Sequence, residues 1–463
     1  MSASNAYQAI VIGSGQGGTP LCRALAGAGL RTALIERKHV GGTCINEGCT
    51  PTKTMVASAR VAYLARRGAD YGVQTGDIRI HMERVRQRKR DIVDSFRNGS
   101  QSRIEKTKNL DLIFGEASFT GPHSVLVKLH SGGTRELTGE KIFINAGARP
   151  SVPELAGLQD VPFLDSTSIM ELDAVPEHLL VLGGGYVGLE FGQMFRRFGS
   201  RVTLVEPGER LLKHDDPDVA AEVAAILKQD GIEVMTNTKP ARATQAGTRI
   251  HLTVSMDKES PVLEGSHLLV AAGRAPNTDR LNVSAAGVMI DSRGYIQVNG
   301  KLETSSAGIF ALGDIKGGPA FTHISYDDFR VLRTNLIEKG NATIDGRLVP
   351  YTIYIDPQLG RIGLTETEAR AQGRNIRVAR MPMTYVARAL EVDETRGFMK
   401  AIVDAGSGQI LGATVLGVEG GEIMSMLELA MMGKLAYTSL RDAVFAHPTL
   451  AECLNNLFTH FDS

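Results

Sequence analysis

At 463 residues the chain is too long for one hydrophobic core, and its size calls for about two to four domains. Lysine plus arginine and aspartate plus glutamate balance at 51 each, which argues against a nucleic-acid partner, because affinity for phosphate backbones rests on a net basic surface. No run reaches transmembrane length and the N-terminus enters an apolar strand without a signal-peptide pattern, so the chain reads as cytoplasmic and without a membrane partner.

In chain order, Ala9-Ile10-Val11-Ile12 is a short apolar strand that runs into Gly13-Ser14-Gly15-Gln16-Gly17-Gly18, a helical pattern and then Thr32-Ala33-Leu34-Ile35-Glu36. This is a dinucleotide fingerprint in its proper context: glycines let the backbone approach a pyrophosphate at a helix N-terminus, and the terminal acid holds ribose hydroxyls. Next comes Gly41-Gly42-Thr43-Cys44-Ile45-Asn46-Glu47-Gly48-Cys49-Thr50-Pro51-Thr52-Lys53, where Pro51 opens a long helical pattern. The two thiols can close into a disulfide if the backbone brings their Cβ atoms together. Zinc is a rival, but structural zinc needs four ligands, and only Cys22 and Cys453 remain, far apart in sequence. Two inert buried thiols would leave the adjacent glycines and Lys53 unexplained. Four cysteines in a chain this long do not make a disulfide scaffold, and in a reducing cytosol the pair reads as catalytic.

Residues 67–140 hold a charged helical stretch from Met82 to Lys108, whose basic Arg84–Arg90 segment reads as a solvated face, then alternating strands with turns at Gly121-Pro122 and Gly132-Gly133. They carry no legible chemistry. The fingerprint then returns as Leu179-Leu180-Val181-Leu182, Gly183-Gly184-Gly185-Tyr186-Val187-Gly188 and Val202-Thr203-Leu204-Val205-Glu206, with Glu206 as far beyond Gly183 as Glu36 is beyond Gly13. Two copies imply two dinucleotides. Thr304 to Asp314 contains another apolar strand, and from about residue 346 the composition shifts toward a third domain. Within that domain, Glu422 to Leu435 is a Met-rich helical pattern that reads as packing rather than metal relay. The chain closes on Ala446-His447-Pro448-Thr449-Leu450-Ala451-Glu452, where Pro448 disfavours helix at His447 and Thr449 with Glu452 fits a capping box.

The Gly41–Lys53 run resembles the active-site signature of the class I pyridine nucleotide-disulfide oxidoreductases, the family of glutathione reductase, dihydrolipoamide dehydrogenase and mercuric reductase. The resemblance implies an α/β chain with two Rossmann-like dinucleotide-binding domains, for FAD and NAD(P), plus a C-terminal α+β dimerisation domain. FAD belongs to the first fingerprint, because that unit leads into the cysteines and flavin, unlike nicotinamide, reacts readily with a disulfide. The FAD domain would be discontinuous, 1–150 and 280–345, with the NAD(P) domain at 151–279 and the interface domain at 346–463. Asn145–Pro150 and Ala271–Asn277 look like the crossing points.

Matched residue by residue, the family pattern assigns FAD contacts to Gly13, Gly15, Gly18, Glu36, Arg37, Gly42, Thr43, Lys53, Ala146, Gly147, Gly313, Asp314, Thr322 and His323. It assigns NAD(P) contacts to Gly183, Gly185, Tyr186, Val187, Gly188, Glu190, Glu206 and Gly273. Cys49 would face the flavin and Cys44 would be the interchange thiol. Lys53 would stand by flavin N5, paired with Glu190, and Tyr186 would cover the flavin until nicotinamide arrives. His447, oriented by Glu452, would shuttle a proton at the partner's disulfide, which implies a homodimer. Glu206 suits a free ribose 2′-hydroxyl, with Arg210 alone nearby, so NADH is favoured over NADPH.

Phe321–Arg330, Val386–Ala389 and Asp393–Gly397 look most like the mercuric-reductase-like branch, associated with Hg(II) and Cu(II) reduction. Cys44 and Cys49 would then be the only ligands offered to such a substrate metal, since Leu454-Asn455-Asn456-Leu457-Phe458 lacks the vicinal C-terminal cysteines of mercuric reductases and leaves no obvious relay. Two alternatives stand beside a metal reductase. One is a dihydrolipoamide or glutathione-type disulfide reductase, and the other is a thiol redox sensor without turnover.

Overall fold

The computed structural model describes residues 5–256 and 259–462. Strand β1 (Ala6–Ile12) exposes alternate residues at its start and is wholly buried from Ala9 onward, as a central parallel strand covered on both faces must be. It is followed by α1 (Gly18–Gly27), β2 (Thr32–Glu36), the short α2 (Gly42–Asn46), α3 (Cys49–Arg66), α4 (Met82–Glu105), β3 (Leu110–Gly121), β4 (Ser124–Leu129), β5 (Thr134–Ile144) and β6 (Ala148–Pro150). β2 lies parallel to β1 and β3, and β5 parallel to β1. The long β3 and β5 run on past the parallel part of this six-stranded sheet, and their other halves pair antiparallel with β4 in a meander. Helix α3 starts at Cys49, two residues before the expected opening at Pro51. Proline is tolerated there because an N–H in the first helical turn has no intrahelical acceptor to lose.

The fingerprint unit recurs as β7 (Phe163–Leu164), β8 (His178–Leu182), α5 (Tyr186–Phe198), β9 (Arg201–Val205), α6 (Pro217–Gln229), β10 (Glu233–Met235), the meander β11 (Lys239–Ala246), β12 (Arg249–Ser255) and β13 (Val262–Gly265), and β14 (His267–Val270). Five strands run parallel in the order β10-β9-β8-β14-β7. β8 is buried at all five positions.

The chain then returns through β15 (Arg274–Pro276), antiparallel to β6, and β16 (Ile309–Ala311), parallel to β5. β16 completes the parallel order β3-β2-β1-β5-β16. Helix α7 (Thr322–Leu336) packs on α1. Asp328 on α7 is fully buried and accepts from Gly313 N–H at 2.8 Å, from Arg347 at 2.7 Å and pairs with Lys316 at 3.4 Å. Asp328→Asn keeps an acceptor for Gly313 but takes the paired carboxylate from Lys316 and leaves Arg347 with Asp327 alone. It is expected to cost about 3 kcal/mol, the scale for breaking a buried ion pair, read as a lower urea midpoint.

Five antiparallel strands close the chain: β17 (Tyr351–Ile353), β18 (Gln358–Gly363), β19 (Ile376–Pro382), β20 (Phe398–Asp404) and β21 (Ile410–Gly417), in the order β17-β18-β21-β20-β19. Helix α8 (Gly420–Met432) lies on β18 and β21, with Met424 in the core and Met432 exposed, and α9 (Cys453–Leu457) packs on β19 and β20. The described residues form two compact units: one within Met1–Thr54, Arg84–Ser151 and Gly273–Arg347, the other within Met55–Glu83, Val152–Ala272 and Leu348–Ser463. No helix among the described residues is long and apolar enough to cross a membrane.

Candidate redox site and nucleotide loops

In the first unit, β1 ends in Gly13 at φ +101°, where a Cβ would sit 2.3 Å from the Asn145 carbonyl oxygen. Only glycine combines that conformation with that approach. The loop is held by side chains from both flanks. Glu36, at the end of β2, takes the Ser14 hydroxyl at 2.6 Å and the Ser14 N–H at 3.0 Å on one oxygen, and the Lys38 N–H at 2.7 Å on the other. Asn145 accepts from Gly18 N–H at 2.9 Å and donates to the Leu312 carbonyl at 2.9 Å, tying the glycine loop to the turn that carries Gly313 and Asp314. Burial pushes the Asp314 carboxyl up, against Arg274 and Lys316, which lower it.

The cysteine segment folds onto this loop. Gly42 lies so close to Gly15 that a Cβ on it would come within 2.6 Å of the Gly15 Cα. Cys44 sits in α2 and Cys49 in the first turn of α3, both as free thiols. The Thr322 hydroxyl, at the start of α7, lies 3.4 Å from the Cys49 sulfur. A hydrogen bond with Cys49, together with burial, pushes the Cys44 thiol up, while the Thr322 hydroxyl and the Lys53 charge pull it down. Removing the hydroxyl removes a lowering influence, so in Thr322→Val the Cys44 thiol titrates higher still. The pH profile of iodoacetamide alkylation of the reduced enzyme is expected to move to the alkaline side, with about fivefold slower reaction at neutral pH for one lost hydrogen bond of about 1 kcal/mol.

In the second unit, Gly183 repeats Gly13: φ is +112°, and a Cβ would lie 2.5 Å from the Ala271 carbonyl oxygen. Glu206 repeats Glu36, taking Gly184 N–H and Gly208 N–H at 2.7 Å each. Tyr186 opens α5 and is exposed, whereas Glu190, one turn on, is buried and accepts the Tyr354 N–H at 2.8 Å. Near the C-terminus, His447 Nδ1 lies 2.8 Å and 3.1 Å from the two carboxylate oxygens of Glu452. The carboxylate holds a proton on Nδ1 and leaves Nε2 of an exposed ring free. The capping box is only half realised. Glu452 N–H reaches the Thr449 hydroxyl at 3.3 Å, but the Glu452 carboxylate turns to His447, and α9 begins only at Cys453.

The model of the pyridine nucleotide-disulphide oxidoreductases matches residues 7–328, and that of their dimerisation domain matches residues 349–458. The chain belongs to the pyridine nucleotide-disulphide oxidoreductases. It is 39% identical over 98% of its length to the probable pyridine nucleotide-disulfide oxidoreductase RclA of Escherichia coli, covering 99% of that protein. It is 33% identical to the mercuric reductase of Lysinibacillus sphaericus, over 98% of this chain and 83% of the other. Among solved structures, the Cu(II) complex of the HOCl-induced flavoprotein disulfide reductase RclA from Escherichia coli superposes with a TM-score of 0.91 at 38% identity, over 98% and 99% of the two chains. The family is FAD-dependent and uses pyridine nucleotides, which makes the chain an oxidoreductase with mixed α/β nucleotide-binding domains and a C-terminal dimerisation domain.

The residues of the first loop fit FAD. A Cβ on Gly15 would meet the Asn145 side chain and one on Gly42 the Gly15 Cα, so the loop can pack this tightly only with glycines; Gly17 brings no side chain to the N-terminus of α1, and Glu36 stands at the strand end with its orientation already fixed. Ser14, Asn145 and Asp328, which the sequence reading did not assign, brace this loop. Cys22 and Cys453 lie apart from the chemistry: each is buried in an apolar core, and burial pushes each thiol up to about 12.

Proposed function

We propose that the chain is an NAD(P)H-dependent flavoprotein disulfide reductase whose Cys44–Cys49 pair delivers electrons to a soft metal ion such as Hg(II) or Cu(II). The observation that carries this reading is the thiol pair itself, set against the first glycine loop with Thr322 at the Cys49 sulfur. FAD, when bound, supplies the two-electron link between nicotinamide and sulfur. The chain's own residues do the rest. Gly13, Gly15, Gly18 and Glu36 hold the dinucleotide of the first loop, and Gly183, Gly185, Gly188 and Glu206 that of the second. The bond to Cys49 and burial push the Cys44 thiol up, and the Lys53 charge works against them, toward the thiolate that ligates soft metals.

One dithiol returning to the disulfide releases two electrons and two protons, enough for one Hg(II) to Hg(0) or two Cu(II) to Cu(I). Similarity to mercuric reductases and to a protein whose structure is a Cu(II) complex supports the metal. The match to a dimerisation domain supports a homodimer in which His447 of the partner subunit, oriented by Glu452 of the partner subunit, takes up one of those protons at Nε2, the other going to solvent.

The test is anaerobic NADH oxidation with Hg(II), Cu(II), lipoamide and glutathione disulfide in parallel. Turnover with the metals and not the disulfides supports the reading. Turnover with a disulfide alone replaces it with a thiol substrate, and reduction of the pair without turnover on any acceptor replaces it with a redox sensor.

NADH is the favoured nucleotide, because the Glu206 carboxylate would repel a 2′-phosphate. Glu206→Ala is expected to raise KM for NADH about tenfold, the worth of one charge-assisted hydrogen bond, and to lower KM for NADPH. Steady-state kinetics with both nucleotides check this.

A further inference from the structure

The second unit contains a cavity of about 620 Å³, a volume suited to a small metabolite. It is bordered by the last turns of α3 and α5 and by the 393–396 stretch, and no residue of either glycine loop lines it. Five arginines line it, Arg66, Arg67, Arg196, Arg197 and Arg396, against three carboxylates. Three of the five are committed to carboxylates: Arg67 to Asp70 and Asp393, Arg396 to Glu394 and Asp230, and Arg197 to Asp356.

The other two are not. Arg66 bonds the Arg197 carbonyl, and Arg196 bonds the carbonyls of Asp230 and Ser200; among the described residues neither meets a carboxylate. Arg197, whose side chain is only 5% exposed, stacks 3.9 Å over the Tyr63 ring and keeps its Nε without a hydrogen-bond partner. An unpaired buried guanidinium N–H costs about 1–3 kcal/mol unless something accepts from it. Placing arginines in the last helical turns accounts for carbonyl capping. It does not account for a cavity that gathers two uncompensated charges.

We propose that this cavity binds a small phosphoryl oxyanion, with Arg66 and Arg196 as its charged donors. Guanidinium forks match phosphate oxygens in bidentate geometry, which carbonyl contacts leave unused. The experiment is titration calorimetry on the holoenzyme saturated with FAD and NAD⁺, so that both glycine loops are filled. The probes are inorganic phosphate, pyrophosphate and glucose 6-phosphate, with chloride at matched ionic strength as the screening control.

Saturable binding is expected for at least one probe, and Arg66→Gln/Arg196→Gln should weaken it about tenfold or more. Binding of the two inorganic ions alone assigns a free anion, and tighter binding of the sugar phosphate assigns a phosphorylated metabolite. If the double variant does not fold, Arg66→Gln alone, on an exposed side chain, should weaken binding about fivefold. Equal affinity in wild type and variant, or heat no larger than that of chloride, overturns the proposal.

Discussion

Cys44→Ser is expected to lower acceptor turnover on the order of 10³-fold or more while NADH still bleaches the bound flavin, because the first half of the cycle does not use this sulfur. The serine hydroxyl can neither form the disulfide nor ligate a soft metal. No other thiol can take its place. Cys22 and Cys453 are each buried in apolar cores and pushed up to about 12, so at neutral pH only on the order of 10⁻⁵ of either is thiolate. The remaining Cys49 keeps its Thr322 partner but has lost the neighbour it would pair with. Stopped-flow reduction followed by steady-state assay separates the two halves. Wild-type turnover with metal ions in Cys44→Ser would mean that electrons reach the acceptor without the dithiol, and the proposed route would fail.

The nucleotide loops were legible because their chemistry is local. Gly13 and Gly183 must adopt a left-handed backbone against a carbonyl, and Glu36 and Glu206 must end a strand, so residue type and spacing carry the message. The residues that brace those loops were not legible. Asn145 acts on Gly18 across 127 positions of sequence, and Thr322, assigned from sequence to FAD, lends its hydroxyl to Cys49 across 273, with no periodicity to announce either contact. Asp328 shares α7 with other polar residues, and only the fold shows it fully buried beside two cations and a backbone N–H. The arginine cavity draws on three segments, residues 63–67, 196–230 and 393–396, that are meaningless until the chain is folded.

His447→Ala is expected to lower kcat about 10²- to 10⁴-fold, the usual worth of a positioned acid–base group, with little change in the rate of flavin reduction by NADH. The geometry makes the prediction specific. Glu452 holds Nδ1 from both carboxylate oxygens, so the exposed Nε2 is the atom that can exchange a proton. Glu452→Gln keeps a hydrogen-bond partner for Nδ1 and loses only the charge that stabilises the imidazolium, so it should cost less, about tenfold. An inert surface pair would give a different result, since an exposed His–Glu contact is worth at most about 1 kcal/mol to stability and nothing to rate. Equal kcat in His447→Ala and wild type would therefore remove the histidine from the mechanism. It would leave protonation of the dithiol to Cys44 itself, which burial and its bond to Cys49 already bias toward holding the proton.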